Sequence, residues 1–407
     1  MMDYERFYSR IGRQVQESAI RRMGAADGDR RDMVSFAPGY PDPTLFPWDD
    51  LRDIAGQLLH GRDAPVLQYG PPRGLAPLRE ATAALLAGRG IAATADELLI
   101  TTGTQQAVDL LARVLVEPGD IVLTELATFT GSIAAFRNAG AELVGVPLED
   151  DGIDLEVLDF AWSCALAGGR RVKLLYLIPN FQNPTGTLLA QHKRARLIAW
   201  ADDRDVLIVE DDPYGSLYFD DETAPGTRPL RADCDTGRVI YTSSFSKVLA
   251  PGLRVAWVTA PAALVDRLEN AKQSADLTCG GLDQHLACEA LRRGVIDRAL
   301  PSLRAHYRSR RDIMEAALRD AVGERLAWRS PRGGFFIWAR LPHGCTDVDL
   351  LTRAQAEGVT FVPGSAFHVD GTGHDTIRLS FSEPPADRIG EGIRRLSRAL
   401  TPAAAGS

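Results

Sequence analysis

Lysine is the scarce residue of this chain. Only Lys173, Lys193, Lys247 and Lys272 occur among 407 residues whose Lys+Arg total is 46. Arginine carries positive charge wherever charge alone suffices, so each lysine asks for a reason. Cysteine is sparse as well. Cys164, Cys234, Cys279, Cys288 and Cys345 are odd in number, scattered, and contain no C-x-x-C pair. Neither a disulfide framework nor a zinc site is indicated by them, and no metal is expected. No stretch approaches the ~20 apolar residues of a membrane span, and the N-terminus, Met-Met-Asp-Tyr-Glu-Arg-Phe-Tyr, carries no apolar signal core. The net charge of −8 argues against nucleic acid or an anionic membrane as the main partner. Internal repeats are absent, and the low-complexity content is a small tail, 401–407. What is present, 45% hydrophobic and 25% charged residues, suits a soluble, cytoplasmic, globular chain. Its length allows two or three domains, or one large α/β unit with an appendage.

Of the four lysines, Lys193 in Gln191-His-Lys-Arg-Ala-Arg196 and Lys272 after Glu269-Asn270 read as solvated surface residues. Lys247 does not. It stands in Ser243-Ser-Phe-Ser-Lys247-Val-Leu-Ala-Pro-Gly-Leu-Arg254, directly after the β-branched apolar run Val239–Thr242, a buried strand by pattern. Pro251-Gly252 marks a turn before a second strand, 254–259. An amine at a strand end, flanked by Ser244, Ser246 and Arg254, is what a covalently held, phosphorylated aldehyde requires. The amine forms the imine, and the hydroxyls and guanidinium meet phosphate oxygens.

The rest of the chain supplies a frame. Residues 1–33 are polar and could form an arm or a peripheral helix. The stretch 36–47, with four prolines and Gly39, predicts a rigid ordered loop. Short apolar runs then alternate with helical stretches. Strands are predicted at 98–102, 121–124, 142–146, 173–178, 206–209, 239–242 and 255–259, and helices at 105–116, 130–139 and 189–203. This predicts an α/β fold with a mostly parallel central sheet flanked by helices, its ligands collecting outside the strands' carboxyl ends. Near residue 285 the alternation gives way. Helices at 283–293 and 296–322, the latter long or broken at Pro301, precede strands at 333–341, 359–364 and 376–381. The predicted division is a large domain, 48–285, and a smaller α+β domain built from 1–47 and 286–407 with an N-terminal arm.

The loops at the strand ends form one constellation. Gly103-Thr104-Gln105 opens a helix whose free N–H groups make an anion seat. Asn183 sits in a tight loop, Pro179-Asn-Phe-Gln-Asn183-Pro-Thr-Gly186. Glu210-Asp211-Asp212-Pro-Tyr214 places three acids at a strand end, where they repel one another unless a cation or proton donor is near.

Asn183-Pro-Thr-Gly186, Asp211-x-x-Tyr214, Ser244-x-x-Lys247 with Arg254, Gly333-Gly334 and Arg378, in that order, resemble the fold-type I pyridoxal-phosphate (PLP) enzymes. The closest resemblance is to the class I/II aminotransferases of the 2-aminoadipate and aromatic type, and to the catalytic domain of MocR regulators. It spans nearly the whole chain. It implies a pyridoxal 5'-phosphate cofactor held by Lys247 as a Schiff base, with Lys247 later moving the proton at the substrate. Asp211 would pair with the ring nitrogen; Glu210 and Asp212 are the alternatives, and the spacing to Tyr214 favours Asp211. Tyr214 and Asn183 would hydrogen-bond the phenolic oxygen. Gly103, Thr104, Gln105, Ser244, Ser246 and Arg254 would cradle the phosphate, and Phe129 would stack on the ring unless it is an ordinary core aromatic. Tyr69, otherwise a packed loop aromatic, would reach the phosphate of a neighbouring subunit, implying a homodimer with shared sites. Arg378 would grip the substrate carboxylate, its alternative being a structural ion pair, and Gly39 would let the backbone approach the substrate.

Two departures from the family pattern bear on the substrate. Glu125-Leu-Ala127-Thr-Phe129 stands where this branch usually has a proline and a tyrosine, and Phe335-Phe336 is bulky. The function implied is transfer of an amino group between an L-α-amino acid and a 2-oxo acid, 2-oxoglutarate being the usual acceptor. The alternative is another outcome on the same cofactor, such as an oxidase, cyclase, lyase or decarboxylase. A MocR-like regulator is disfavoured, since about 38 residues precede Gly39, short for a DNA-binding domain.

Overall fold

The structure is a computed structural model that describes residues 2–14, 32–61 and 64–401. Most of the expected N-terminal arm and nearly all of the small-residue tail lie outside the described residues. Seven strands build the central sheet: β1 (Leu98–Thr101), β2 (Ile121–Glu125), β3 (Glu142–Val146), β4 (Val172–Leu177), β5 (Leu207–Asp211), β6 (Val239–Ser244) and β7 (Ala256–Thr259). Their order is β1-β7-β6-β5-β4-β2-β3. Neighbours from β6 to β3 pair in parallel, and β7 runs antiparallel between β1 and β6.

The alternation of side chains along a strand assigns the two faces. On β4, Leu174 and Tyr176 join Val122, Val209 and Ile240 beneath the helices Thr104–Leu115 and Thr130–Asn138. Leu175 and Leu177 point the other way, to Ile208, Val239 and the helix Gln191–Asp203. Both faces are therefore buried, which is why these strands read as unbroken apolar runs.

A second, antiparallel sheet holds β8 (Ala327–Trp328), β9 (Phe336–Arg340), β10 (Val362–Pro363) and β11 (Thr376–Ser380) in the order β8-β9-β11-β10. The helices Asp347–Ala356 and Ala386–Leu400 share its core. Val34–Ser35 pairs in parallel with Val359–Thr360, so the N-terminal stretch joins this layer.

Sequence pattern and structure differ at several places. The helices Leu155–Ala167 and Ala262–Gln273 were not expected from the pattern. Of the two alternatives left open at Pro301 the long helix is found, with Val295–Ala321 running unbroken through it. A proline near a helix start removes one backbone hydrogen bond, and the remaining turns carry the helix on.

Two of the lysines also correct the surface assignment. Lys193 is 5% exposed and its Nζ lies 2.5 Å from Glu149 Oε2 and 2.6 Å from Asp151 Oδ1. Lys272 is fully buried, 2.7 Å from Asp276 Oδ1 one turn on. The carboxylates that hold Lys193 come from another part of the chain, so its immediate neighbours give no sign of them.

Candidate active site

The sheet brings four strand ends together. β5 ends in the three acids, and their hydrogen bonds separate their roles. Glu210 accepts from the backbone N–H groups of Leu230 and Arg231, both at 2.9 Å. Asp212 accepts from Arg89 (3.0 Å), Asn180 (3.0 Å), the Gly215 N–H (2.9 Å) and the Tyr241 hydroxyl (3.1 Å). Asp211 has one such partner: the Tyr176 hydroxyl donates to its Oδ2 at 2.7 Å. Its Oδ1 is buried without a hydrogen bond among the described residues. Burial raises the Asp211 carboxyl to about 7, against the Tyr176 hydrogen bond and the Lys247 charge. An unpaired buried carboxylate oxygen is costly unless a ligand meets it. Among the three acids, Asp211 alone keeps that oxygen open.

Lys247 follows the end of β6, and its Nζ donates to the Gly39 carbonyl at 2.9 Å. The nitrogen lies 5.8 Å from the centre of the Tyr214 ring and 5.7 Å from that of Phe335. Burial, then repulsion from Arg378 and Arg254, lowers its pKa to about 8. Part of the amine population is therefore neutral, and so nucleophilic, near neutral pH. Burial also holds the Tyr214 phenol well above its usual range.

Arg378, on β11, is 1% exposed. Its Nη1 donates to Asn183 Oδ1 at 2.8 Å and its Nη2 to the Ala37 carbonyl at 2.5 Å, while Nε is buried with no partner. The guanidinium carbon sits 4.2 Å from the Phe336 ring centre and 4.8 Å from that of Phe367. Among the described residues no carboxylate forms an ion pair with it, so the structural alternative has no partner. A buried, uncompensated guanidinium with a free N–H suits an incoming carboxylate.

The residues expected to form an anion seat gather around Gly103, at the start of the helix Thr104–Leu115. Gly103 has a φ of +84°, and a Cβ there would come within 2.0 Å of Arg254 Nη2. Only glycine combines that conformation with that closeness. Thr104 and Gln105 open the following helix. Ser244 Oγ accepts from the Ser246 N–H at 3.3 Å. Phe129, partly buried, precedes the helix Thr130–Asn138 and lies against Gly131, as Gln105 does. Gly39 is close to Phe336, whose ring a Cβ would meet at 2.6 Å.

The structure thus brings Lys247, Asp211, Tyr214, Asn183, Arg378 and Gly39 together, with Gly103 and Arg254 beside them. It leaves Tyr69 apart, 79% exposed on the surface, so within one chain Tyr69 is not a packed loop aromatic.

Sequence reasoning missed Tyr176 and the Glu125–Gln182 pair. Gln182 Nε2 donates to Glu125 Oε2 at 2.9 Å and to the Ala127 carbonyl at 2.7 Å, and its Oε1 accepts from Thr185. This ties the loop of Asn183 to that of Phe129. Burial raises the Glu125 carboxyl from 4.5 to about 8. The folded protein then holds a proton that the unfolded chain releases, so stability from this group falls as pH rises between those values. Replacing Glu125 by Gln should flatten the slope of unfolding free energy against pH by up to ~1.4 kcal/mol per pH unit. Urea unfolding across that range measures it, and an unchanged slope would mean that Glu125 is ionised in the fold.

Residues 42–396 match the family model described as Aminotransferase class I and II. The chain belongs to that family. It is 37% identical over 400 residues to aromatic-amino-acid aminotransferase 1 of Thermococcus litoralis, a match that covers 98% of this chain and 95% of the relative. The kynurenine aminotransferase of Pyrococcus horikoshii superposes with a TM-score of 0.93 at 36% identity, over 98% of both chains. The α-aminoadipate aminotransferase of Thermus thermophilus, complexed with N-(5'-phosphopyridoxyl)-L-leucine, superposes with a TM-score of 0.89 at 38% identity, again over 98% of both. This chain is therefore a fold-type I, pyridoxal-phosphate-dependent aminotransferase acting on amino acids. The site agrees with that cofactor: it offers an amine of lowered pKa, an open buried carboxylate oxygen and a glycine-lined anion seat. No helix among the described residues is long and apolar enough to cross a membrane.

Proposed function

We propose that this aminotransferase transfers an amino group from an L-α-amino acid to 2-oxoglutarate, with Lys247 as the point of covalent attachment for the cofactor. Bound pyridoxal phosphate supplies an electron sink for the carbanion formed at the substrate. The protein's residues do the rest. Asp211 offers Oδ1 to the ring nitrogen and, as an anion, favours that nitrogen's protonated form. Tyr214 and Asn183 offer hydrogen bonds to the phenolic oxygen. Gly103, Thr104, Gln105, Ser244, Ser246 and Arg254 hold the phosphate, and Phe129 covers the ring. Arg378 binds the substrate carboxylate, and Gly39 gives it room. The Lys247 amine, neutral in part near pH 8, moves the proton at the substrate's α carbon.

The observation that carries this reading is the convergence of three groups with opposite needs: the Lys247 amine, the open Asp211 oxygen and the unpaired Arg378 Nε. The aromatic walls around Arg378 and the names of the relatives favour a large or aromatic side chain on the donor. Residues 48–285 form the cofactor-binding domain in this proposal, and 1–47 with 286–407 the smaller one. Exposed Leu67 and Tyr69, at 75% and 79%, support a homodimer in which Tyr69 completes the neighbouring site. Five free cysteines agree with a reducing, cytoplasmic setting, and the net charge of −8 with partners other than nucleic acid.

The test is a visible absorption titration of the holoenzyme with a panel of L-amino acids. The cofactor band should bleach with the true donor and return on adding 2-oxoglutarate. Return only with a different 2-oxo acid would replace the acceptor. Product release without any acceptor would overturn transamination as the outcome.

A further inference from the structure

Tyr176 lies on β4, in an apolar run whose pattern explains its burial but not its hydroxyl. The side chain is fully buried among Val122, Val209, Ile178 and Ile240, with the Phe136 ring edge-on at 5.7 Å. In that shell the phenol oxygen needs a partner. It finds Asp211, donating to Oδ2 at 2.7 Å from the adjacent parallel strand. Ser132, whose hydroxyl donates to the Phe129 carbonyl at 2.7 Å, lies beside the same phenol. Tyr176 therefore sits between the acid at the end of β5 and the loop that carries the ring-stacking Phe129.

The two Asp211 oxygens are consequently unequal. One is held by the phenol, and the other is buried and open. A carboxylate fixed by one oxygen cannot rotate freely about its last bond. We propose that Tyr176 is a positioning residue for the cofactor, holding Asp211 by Oδ2 so that Oδ1 stays directed at the ring nitrogen and the carboxylate stays ionised.

The charges around Asp211 give this hydrogen bond its importance. Lys247 favours the anion, whereas Asp212 and Glu125 are like-charged neighbours when ionised, and Tyr214 is close. Burial opposes ionisation most strongly, and the Tyr176 hydroxyl is the largest opposing influence. Without that donor, Asp211 keeps its proton to higher pH. Cofactor binding must then displace a proton before the ring nitrogen can pair.

This inference rests on Asp211 being the ring-nitrogen partner, so the test uses a cycle that separates the two claims. Apoenzyme of the wild type, Tyr176→Phe, Asp211→Asn and the double variant is prepared, and pyridoxal phosphate affinity is measured by equilibrium dialysis across pH. Phenylalanine keeps the ring and its packing. In Tyr176→Phe the affinity should fall roughly tenfold near neutral pH, the scale of one hydrogen bond to a charged group. Its loss on acidification should begin at higher pH than in the wild type. In the Asp211→Asn background the same change should cost nearly nothing, because its effect runs through Asp211.

An equal loss in both backgrounds, or an acidic limb that stays in place, would reduce Tyr176 to a packing residue and overturn the proposal. Asp211→Asn without effect on affinity would overturn the Asp211 assignment, and the proposal with it. Should Tyr176→Phe prove insoluble, Tyr176→Leu, which also removes the hydroxyl from an apolar shell, goes through the same cycle. A smaller loss in the Asp211→Asn background supports the proposal, and an equal loss in both backgrounds overturns it.

Discussion

Replacing Lys247 by alanine is expected to abolish turnover, by about 10⁴-fold or more, while leaving the apoenzyme folded. Two functions end at once. On the proposed reading the cofactor loses its covalent attachment, and among the described residues the other three lysines are engaged by Asp120, Glu149 with Asp151, and Asp276, so none replaces the proton carrier at the α carbon. Proton transfer by a positioned group alone contributes about 10²- to 10⁴-fold, and the covalent step adds to it. Stability should not suffer, because the hydrogen bond lost is one, to the Gly39 carbonyl. Removing the amine also relieves its repulsion by Arg378 and Arg254. Thermal unfolding of the cofactor-free variant should match or exceed that of the cofactor-free wild type. Steady-state rates and the visible spectrum check the rest. Undiminished turnover, or an unchanged cofactor band, would remove Lys247 from the centre of the site.

How much of this was legible in the sequence depends on the range over which each residue's role is set. The central strands were legible because burial on both faces makes them unbroken apolar runs between turns. Lys247, Asp211 and Asn183 could be singled out as candidates because each lies at or just beyond the end of such a run, where ligands collect in α/β sheets. The helices Leu155–Ala167 and Ala262–Gln273 passed unnoticed. The first is rich in apolar residues on several sides, including exposed Phe160 and Leu166, which blurs its period.

Long-range pairing was the least legible. Lys193 is held by Glu149 and Asp151, and nothing local to it announces those acids. Tyr176 sits in an apolar strand where a tyrosine and a phenylalanine look alike. Its hydroxyl matters only because β4 and β5 become neighbours with Tyr176 opposite Val209 in register. The three acids at 210–212 show the same limit. Their repulsion was readable, but the donors that quiet two of them, Arg89 and the N–H groups of 230 and 231, come from distant segments.

Arg378 to alanine should raise the KM for amino acids by about 10²- to 10³-fold, with a much smaller effect on cofactor affinity. The expectation rests on what the guanidinium faces. Two of its nitrogens are already engaged, by Asn183 and by the Ala37 carbonyl, while Nε is buried and free. Burial pulls its pKa down to about 10, so the group stays a cation near neutral pH; among the described residues no carboxylate pairs with it, and its guanidinium carbon lies 4.2 Å from the Phe336 ring centre and 4.8 Å from that of Phe367. A substrate carboxylate relieves that, gaining charge-assisted hydrogen bonds of about 1.5–3 kcal/mol each. The alanine variant loses them for every amino and 2-oxo acid alike, so the effect should be uniform across substrates. Lysine at 378 should not restore binding: its compact ammonium lacks the planar fork that can grip a carboxylate bidentately while other nitrogens hold Asn183 and the Ala37 carbonyl. Cofactor affinity, which the proposed reading assigns to Lys247, Asp211 and the Gly103 turn rather than to Arg378, should stay close to that of the wild type. A normal KM in the alanine variant would place the carboxylate elsewhere, and a KM rise limited to dicarboxylic substrates would make Arg378 the ligand of a side chain rather than of the α-carboxylate.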